Sequence, residues 1–275
     1  MNPLVSVLMT AFNREKYIDE AIESVINSTY QNWELIIVDD CSKDRTVEIA
    51  KSYEAKDHRI KVYINEMNLG DYPNRNKAAS YAKGKYIKYI DADDMIYPFG
   101  LEIMVDNMEK FIDAGWGLMS MPQDNKQIYP FQLNPLEIYQ RHFFYTPVFH
   151  KAPLSSIIKK EVFDRINGFK NVRHYGDMDL WQRLAMKYPL VLMQAGLVWW
   201  RSHNDQEAGK RKQKALLPIE TTNVTIRNIK HKDCPLLGNE RLIVLQKLRN
   251  YKINQIISAC KRLEFNMGYK MIKYF

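Results

Sequence analysis

Apolar positions in the first ninety residues change period in a regular way. The runs VSVLMT (5–10) and LIIV (35–38) have the length of buried strands, while IKVYI (60–64) and YIKYI (86–90) alternate more. Between them the spacing turns helical. Tyr17, Ile18, Ala21, Ile22, Val25 and Ile26 recur at i, i+4 intervals and predict a helix over 14–28 with one buried face, capped by Asn13. Val47, Ala50 and Tyr53 predict a second helix over 44–56, with Ser42 as its cap. Ala78, Ala79 and Ala82 give a small-residue face to a third over 74–83, with Gly84 as the C′ residue. Strands alternating with helices imply a parallel sheet with right-handed crossovers.

After Gly100 the pattern changes. Residues 101–115 predict a helix and 116–120 a strand, whereas 121–153, rich in proline and aromatic residues, show no clear order. In the second half of 153–189, Leu180, Trp181, Leu184 and Ala185 form one helical face that Pro189 ends. LVLM (190–193) and LVWW (197–200) predict closing strands, and beyond about 205 the chain is helical and basic in pattern.

Composition narrows the class. With 275 residues, 46% of them apolar, the chain is long enough for one large α/β domain and an appendage around a real core. No window approaches the apolar length of a membrane span, and the start has no basic, apolar or small-residue pattern of a signal peptide. Cys41, Cys234 and Cys260 are far apart and form no CxxC, which argues against a disulfide framework or structural zinc and fits a reducing cytoplasm. The net charge of +8 is uneven: residues 209–275 hold 15 basic and 4 acidic side chains, the remainder 25 and 28. A basic tail on a mildly acidic body suits an anionic surface as partner, or is simply a solvated helical face.

In a sheet of this kind, ligands bind beyond the carboxyl ends of the strands. TAFN (10–13), DDCS (39–42), NEMNLG (65–70) and DADD (91–94) all fall there. Asp91, Asp93 and Asp94 repel one another, so the cluster is either a harmless solvated turn or the seat of something positive. No GxGxxG follows the first strand and no GxxxxGK[ST] or GxSxG occurs, so dinucleotide, P-loop and hydrolase readings lose their main support. Further along, Asp177 and Asp179 lie in the first turn of the late helix, where the helix dipole favours ionised carboxylates.

Four stretches in this order resemble the family 2 glycosyltransferases of the inverting GT-A type: VSVLMTAFNREKYIDEAIESVINSTYQNWELIIVDDCSKDRT, NLGDYPNRNKAASYAKGKYIKYIDADD, SSIIKKEVFDRINGFK and GDMDLWQRLA. The resemblance spans roughly residues 3–205. It departs from the family at three places: Ala11-Phe12-Asn13 replaces a common Pro-x-Tyr/Phe-Asn, Cys41 replaces a common glycine, and Gly176-Asp177 replaces a common Glu-Asp.

The resemblance implies an α/β GT-A fold, a mostly parallel central sheet flanked by helices, with a C-terminal helical extension. It implies a catalytic domain over 1–205, with a nucleotide-sugar half (1–98) and an acceptor half (99–205), and a basic helical extension over 206–275. The implied cofactor is Mn²⁺ or Mg²⁺, which take oxygen ligands from carboxylates, phosphates and water. Asp93 is the implied metal ligand, with His203 as a second. Asp91 serves the ribose or the metal's outer shell, and Asp94 either joins the site or caps the next segment. Asp39 and Asp40 hold the nucleobase, flanked by Thr10, Ala11, Phe12 and Asn13. Asn68, Arg75 and Arg201 contact the donor, the guanidinium of Arg75 suiting a phosphate or a base carbonyl. Asp177 is the implied general base and Asp179 its competitor. Trp181, Trp199 and Trp200 are expected to pack in the core rather than stack on sugars.

The implied partners are a nucleotide sugar, UDP-linked by expectation, and a glycan or lipid-linked glycan acceptor of bacterial surface polysaccharide synthesis. No nucleic acid is expected. In the tail, Ile253, Ile256, Ile257, Cys260 and Leu263 line one face with Lys252, Lys261 and Arg262 outside it, an amphipathic pattern that suits an anionic membrane or packing on the catalytic domain. The expected location is the cytoplasm, peripheral to the membrane if the tail binds lipid. Two rival readings are a nucleotidyltransferase on a related fold and a non-catalytic nucleotide- or sugar-binding module.

Overall fold

The structure, a computed structural model, describes residues 2–172, 175–203 and 217–261. The chain divides into two compact units: Met1–Ile138 with Val148–Arg201, and Tyr139–Pro147 with Ser202–Phe275.

The first unit is built on an eight-stranded sheet. Its strands are β1 (Val5–Ala11), β2 (Trp33–Asp39), β3 (Ile60–Ile64), β4 (Tyr86–Asp91), β6 (Trp116–Met119), β7 (Phe131–Leu133), β8 (Ser156–Lys159) and β9 (Leu190–Met193). Their order is β3-β2-β1-β4-β8-β6-β9-β7. Strands β1 to β4 pair in parallel. Strand β8 runs antiparallel between β4 and β6, so β6 and its parallel neighbour β9 point the same way as β4. Strand β7 is an antiparallel edge on β9.

The helices are α1 (Ile18–Ile26), α2 (Thr46–Glu54), α3 (Asp71–Tyr81), α4 (Gly100–Lys110), α6 (Lys160–Arg165) and α7 (Gly176–Ala185), with α5 (Pro135–Gln140) crossing from one unit to the other along the chain. One face of β1 presents Val5, Val7, Met9 and Ala11 to Ile18, Ala21, Ile22 and Val25 of α1 and to Leu101, Met104, Val105 and Met108 of α4, all in one buried cluster. Full burial of side chains such as Ile18, Ile22 and Val25 stabilises by about 1.5–3 kcal/mol each, which sets α1 on the sheet. On the other side, Tyr89, Phe163 and Phe169 pack edge to face or tilted.

Several local predictions are corrected. Helix α1 begins at Ile18 with Tyr17 at its N-cap, so Asn13 is not a cap; it sits at φ +52 in the preceding loop. Ser42 does not cap α2 either: Asp44 accepts from the Thr46 N–H at 3.1 Å, while Ser42 Oγ accepts from the Asn13 N–H at 2.8 Å. Helix α3 starts at Asp71, three residues before the predicted start, behind Gly70 at φ +85. Gly84 is no C′ residue. A Cβ there would lie 2.6 Å from the Ser6 nitrogen and 2.7 Å from the Leu4 carbonyl oxygen, so glycine permits a close backbone approach. The LVWW segment does not close the main sheet. Its strand β10 (Val198–Trp199) pairs antiparallel with β5 (Met95–Ile96), directly after the acidic turn.

Trp181 is in the core, stacked on Trp116 at 5.4 Å, but Trp199 and Trp200 are exposed, against expectation. In the second unit, α8 (Leu217–Ile229) and α9 (Gly238–Lys261) are helical as predicted. Ile256 is buried while Ile253 and Ile257 are exposed, so these three do not share one buried face. The Cys260 and Lys261 side chains, Arg262 and Leu263 lie outside the described residues. Among the described residues, no helix is long and apolar enough to cross a membrane.

Candidate active site

The parallel register brings three strand ends to one edge. Ala11 lies beside Asp39, and Thr10 beside Asp91. Chain polarity alone therefore gathers TAFN, DDCS and DADD, as the strand pattern predicted. What each side chain does there depends on its partners.

The acidic turn is held from several sides. Asp91 Oδ1 accepts from Arg75 Nη2 at 2.6 Å and from Thr10 Oγ1 at 3.3 Å. Arg75 is buried and also pairs with Asp71 Oδ1 at 2.7 Å, one turn earlier on α3. Burial works against its charge, but Asp71 and Asp91 outweigh that and hold its pKa above the ordinary arginine value. Asp93 Oδ2 accepts from Arg14 Nε at 2.8 Å. Arg201 ties the end of the turn: its backbone N–H donates to Asp94 Oδ1 at 3.0 Å, its Nε to the Asp93 carbonyl at 3.0 Å, and its Nη2 pairs with Glu20 at 2.7 Å.

Burial raises the pKa of Asp91. Burial, followed by the Asp91 charge, pushes Asp94 up to about 7. The turn is thus a packed group of three carboxylates held by three arginines, Arg14, Arg75 and Arg201.

The second cluster follows β2. Asp39 is buried, and Oδ1 accepts from the Ser42 N–H at 2.8 Å while the Ser42 hydroxyl donates to Oδ2. Burial raises its pKa against these hydrogen bonds. Asp40 has a different task. Its carboxylate accepts from Asn65 Nδ2 at 2.9 Å, the Leu69 N–H at 2.7 Å and the Gly70 N–H at 2.9 Å, so it fastens the loop before α3. Asn68 donates to the Asp40 carbonyl at 3.1 Å. Ala11 is buried and offers only backbone, while Phe12 is 43% exposed at the same rim. Cys41 stands at φ +68, where a side chain costs roughly 1–2 kcal/mol and glycine would sit without strain.

The third cluster separates the two late aspartates. Asp179 is fully buried and pairs with Arg183 Nε at 2.6 Å, and Arg183 donates on to the carbonyls of Ile166 and Gly168. It is a structural tie. Asp177 is only partly buried, with Oδ1 accepting from the Met178 N–H at 2.7 Å. The absent glutamate side chain at 176 also has a cause: a Cβ on Gly176 would come within 2.7 Å of the Tyr72 ring. The phenol oxygen of Tyr72 meets the backbone N–H of Asp177, and burial, then the Asp177 and Asp71 charges, raise the phenol's pKa.

One network therefore joins Thr10, Arg75, Asp91, Asp93, Asp94 and Arg201, and a neighbouring one joins Asn13, Asp39, Asp40 and Asn68. Asp177 meets α3 through Tyr72. His203 falls in the second unit. Sequence reasoning missed Arg14, Asp71 and Tyr72. Arg14 follows β1 by three residues, and Asp71 sits four before Arg75, a spacing that pairs side chains on a helix; nothing in the pattern marked Tyr72.

A divalent cation fits this donor set. The turn offers hard carboxylate oxygens whose mutual repulsion a dication relieves. Among the described residues, no three acidic, cysteine or histidine side chains converge into a complete cage. An ion here would take one or two carboxylates and complete its shell with phosphate oxygens and water, the habit of Mg²⁺.

Residues 6–166 match the model of glycosyl transferase family 2. An uncharacterized glycosyltransferase of Methanocaldococcus jannaschii is 31% identical over 245 residues, 83% of this chain and 81% of its own. A UDP-Glc:α-D-GlcNAc-diphosphoundecaprenol β-1,3-glucosyltransferase of Escherichia coli is 41% identical over 107 residues, 39% of this chain and 42% of its own. In three dimensions the chain is similar to S. aureus TarS 1–349, solved in complex with UDP-GlcNAc: TM-score 0.69 at 19% identity, covering 91% of this chain and 72% of that one. The fold is of the GT-A type anticipated above.

Proposed function

The chain belongs to glycosyl transferase family 2, and from that premise we propose an inverting, metal-dependent transfer of one sugar from a UDP-sugar to a hydroxyl of a glycan or lipid-linked glycan acceptor. The observation that carries the proposal is the packed acidic turn Asp91–Asp94, at the strand edge where α/β sheets take their ligands. UDP as the nucleotide is supported by the donors in the names of the E. coli glucosyltransferase and the TarS complex. The lipid-linked acceptor is supported by the former, and polysaccharide synthesis by relatives named for teichuronic acid and colanic acid biosynthesis. The basic tail adds an attraction for anionic lipid.

In this reading Asp39 accepts from the uracil N–H, and Thr10, Ala11, Phe12 and Asn13 flank the base, Ala11 through its backbone. Asp40 and Asn68 act through the loop they fasten. Arg75 holds Asp91 against the ribose and offers positive charge to the donor. Asp93 would hold Mn²⁺ or Mg²⁺, with Asp91 at the ribose or in the ion's outer shell, and the ion would supply positive charge against the departing diphosphate. Arg201 fixes the turn. Asp177 removes the proton from the acceptor hydroxyl as its oxygen bonds to the anomeric carbon. The bond from that carbon to the diphosphate oxygen breaks in the same displacement. Configuration inverts and nucleoside diphosphate leaves.

The test is calorimetric titration of UDP, GDP and dTDP, with and without Mn²⁺, into the wild type and Asp93→Asn. UDP binding should require metal and weaken at least about tenfold, some 1.4 kcal/mol, in the variant. Metal-independent binding, or a variant equal to the wild type, would remove the acidic turn from the proposal.

A further inference from the structure

The first unit has a second opening, away from the acidic edge. A groove of about 670 Å³ lies between α4 and the segment 122–130, closed at one side by Gln194 beyond β9. None of the acids or arginines of the strand edge lines it.

Two buried polar atoms make this groove more than a surface dent. Asn107 of α4 is 3% exposed, yet its Nδ2 has no hydrogen-bond partner. The Tyr129 hydroxyl, on the facing segment, is likewise buried and unpaired. An unpaired buried polar group gives up its hydrogen bonds to water and gains none in return. The neighbouring buried positions of α4, Leu101, Met104, Val105 and Met108, carry apolar side chains. An amide at 107 weakens the folded chain unless something entering the groove completes its hydrogen bonds.

The lining chemistry identifies the visitor. Planar amides at Asn107, Gln127 and Gln194, with the Asp106 carboxylate, set donors beside acceptors, which suits vicinal hydroxyls. The two aspartates and two lysines of the lining cancel, so nothing favours a phosphate or another polyanion. Tyr129 stacks on Phe131 at 5.4 Å, giving a stiff aromatic wall for the C–H face of a ring. We propose that this groove is a second carbohydrate site, holding a neutral saccharide segment of the acceptor away from the reacting hydroxyl. The word acceptor rests on the glycosyltransferase reading; the saccharide site does not.

Saturation-transfer NMR with the tetraoses of chitin, cellulose and β-1,4-mannan, and with tetragalacturonate as the anionic control, tests it on the full chain. At least one neutral tetraose should bind the wild type saturably. Asn107→Leu should weaken that binding at least tenfold while its Tm stays level or rises, and Gln127→Ala, at the exposed mouth, should weaken it without touching the core. The proposal is overturned if no neutral tetraose binds, if only the anionic one does, if both variants bind like the wild type, or if Asn107→Leu loses several degrees of Tm while Gln127→Ala still binds normally. UDP and Mn²⁺ titrated into the same samples separate the two readings: UDP binding without saccharide binding sinks the groove alone, and the converse sinks the donor site alone.

Discussion

Lys88 offers a quantitative test of how the sheet supports the acidic turn. It is fully buried on β4, and its ammonium donates to the carbonyls of Tyr89, at 3.0 Å, and Leu154. Burial pulls its pKa down from 10.5 to about 7, against the opposing pull of Asp94 and Asp91. The unfolded lysine keeps its proton up to about pH 10.5, so between about pH 7 and 10.5 the unfolded chain binds more protons than the folded one. Stability from this residue must therefore rise with pH across that window. With those two pKa values, moving from pH 7 to pH 9 favours the folded state by about 2 kcal/mol. Lys88→Met keeps the length of the side chain and removes the titration. The assay is thermal unfolding of both proteins at pH 7 and pH 9, followed by near-ultraviolet circular dichroism. The wild type should gain on the variant by roughly 4–8 °C between the two pH values, at about 2–4 °C per kcal/mol for a chain of this size. Parallel behaviour of the two proteins, within about 1 °C, would refute the argument, because it would mean that Lys88 stays charged in the fold.

Two further outcomes follow from the late helix. Asp177→Asn should lower kcat by about 10²–10⁴ with little change in Tm, whereas Asp179→Asn should cost about 3 kcal/mol in urea unfolding and leave the folded enzyme active; the reverse pattern would exchange their roles. Gly176→Glu, which restores the residue common in relatives, should lower stability by about 1–3 kcal/mol through the Tyr72 ring, and Tyr72→Ala in the same chain should recover part of the loss, read as a double-mutant cycle.

Much of the architecture was legible because it rests on period. Strands β1 to β4 are buried runs, and their parallel pairing alone carries three acidic or polar segments to one edge. Helix starts were less legible, since Asn13 and Ser42 have the chemistry of caps but bond to each other across two loops. Gly84 looked like a helix end because pattern cannot show that another strand passes within van der Waals reach. At the site, sequence found the acids of the turn and the arginines at 75 and 201, but not Arg14 or Asp71, which matter through contacts that appear only once the chain is folded. The choice between Asp177 and Asp179 was open in sequence; the folded chain gives them different surroundings, Asp179 buried against Arg183 and Asp177 partly exposed. The departures at Cys41 and Gly176 were visible as anomalies, and their causes, a left-handed backbone and a neighbouring ring, are three-dimensional.

The meeting of β4 and β8 has a wider consequence. Strands β1 and β4 run together from Val5–Tyr86 to Thr10–Asp91, whereas β4 and β8 share only Tyr86–Lys159 and Ile87–Ile158. The sheet is in effect two panels joined by a short hem, with the acidic turn at the free end of the strand beside it. Insertions in the loops of the β6, β7 and β9 panel leave the register of β1 to β4, and with it the acidic edge, in place. A seam this short concentrates the pairing between the panels in two residues of each strand, and recombination breakpoints placed between 111 and 155, which keep α4 with β1, should yield chimeras that fold.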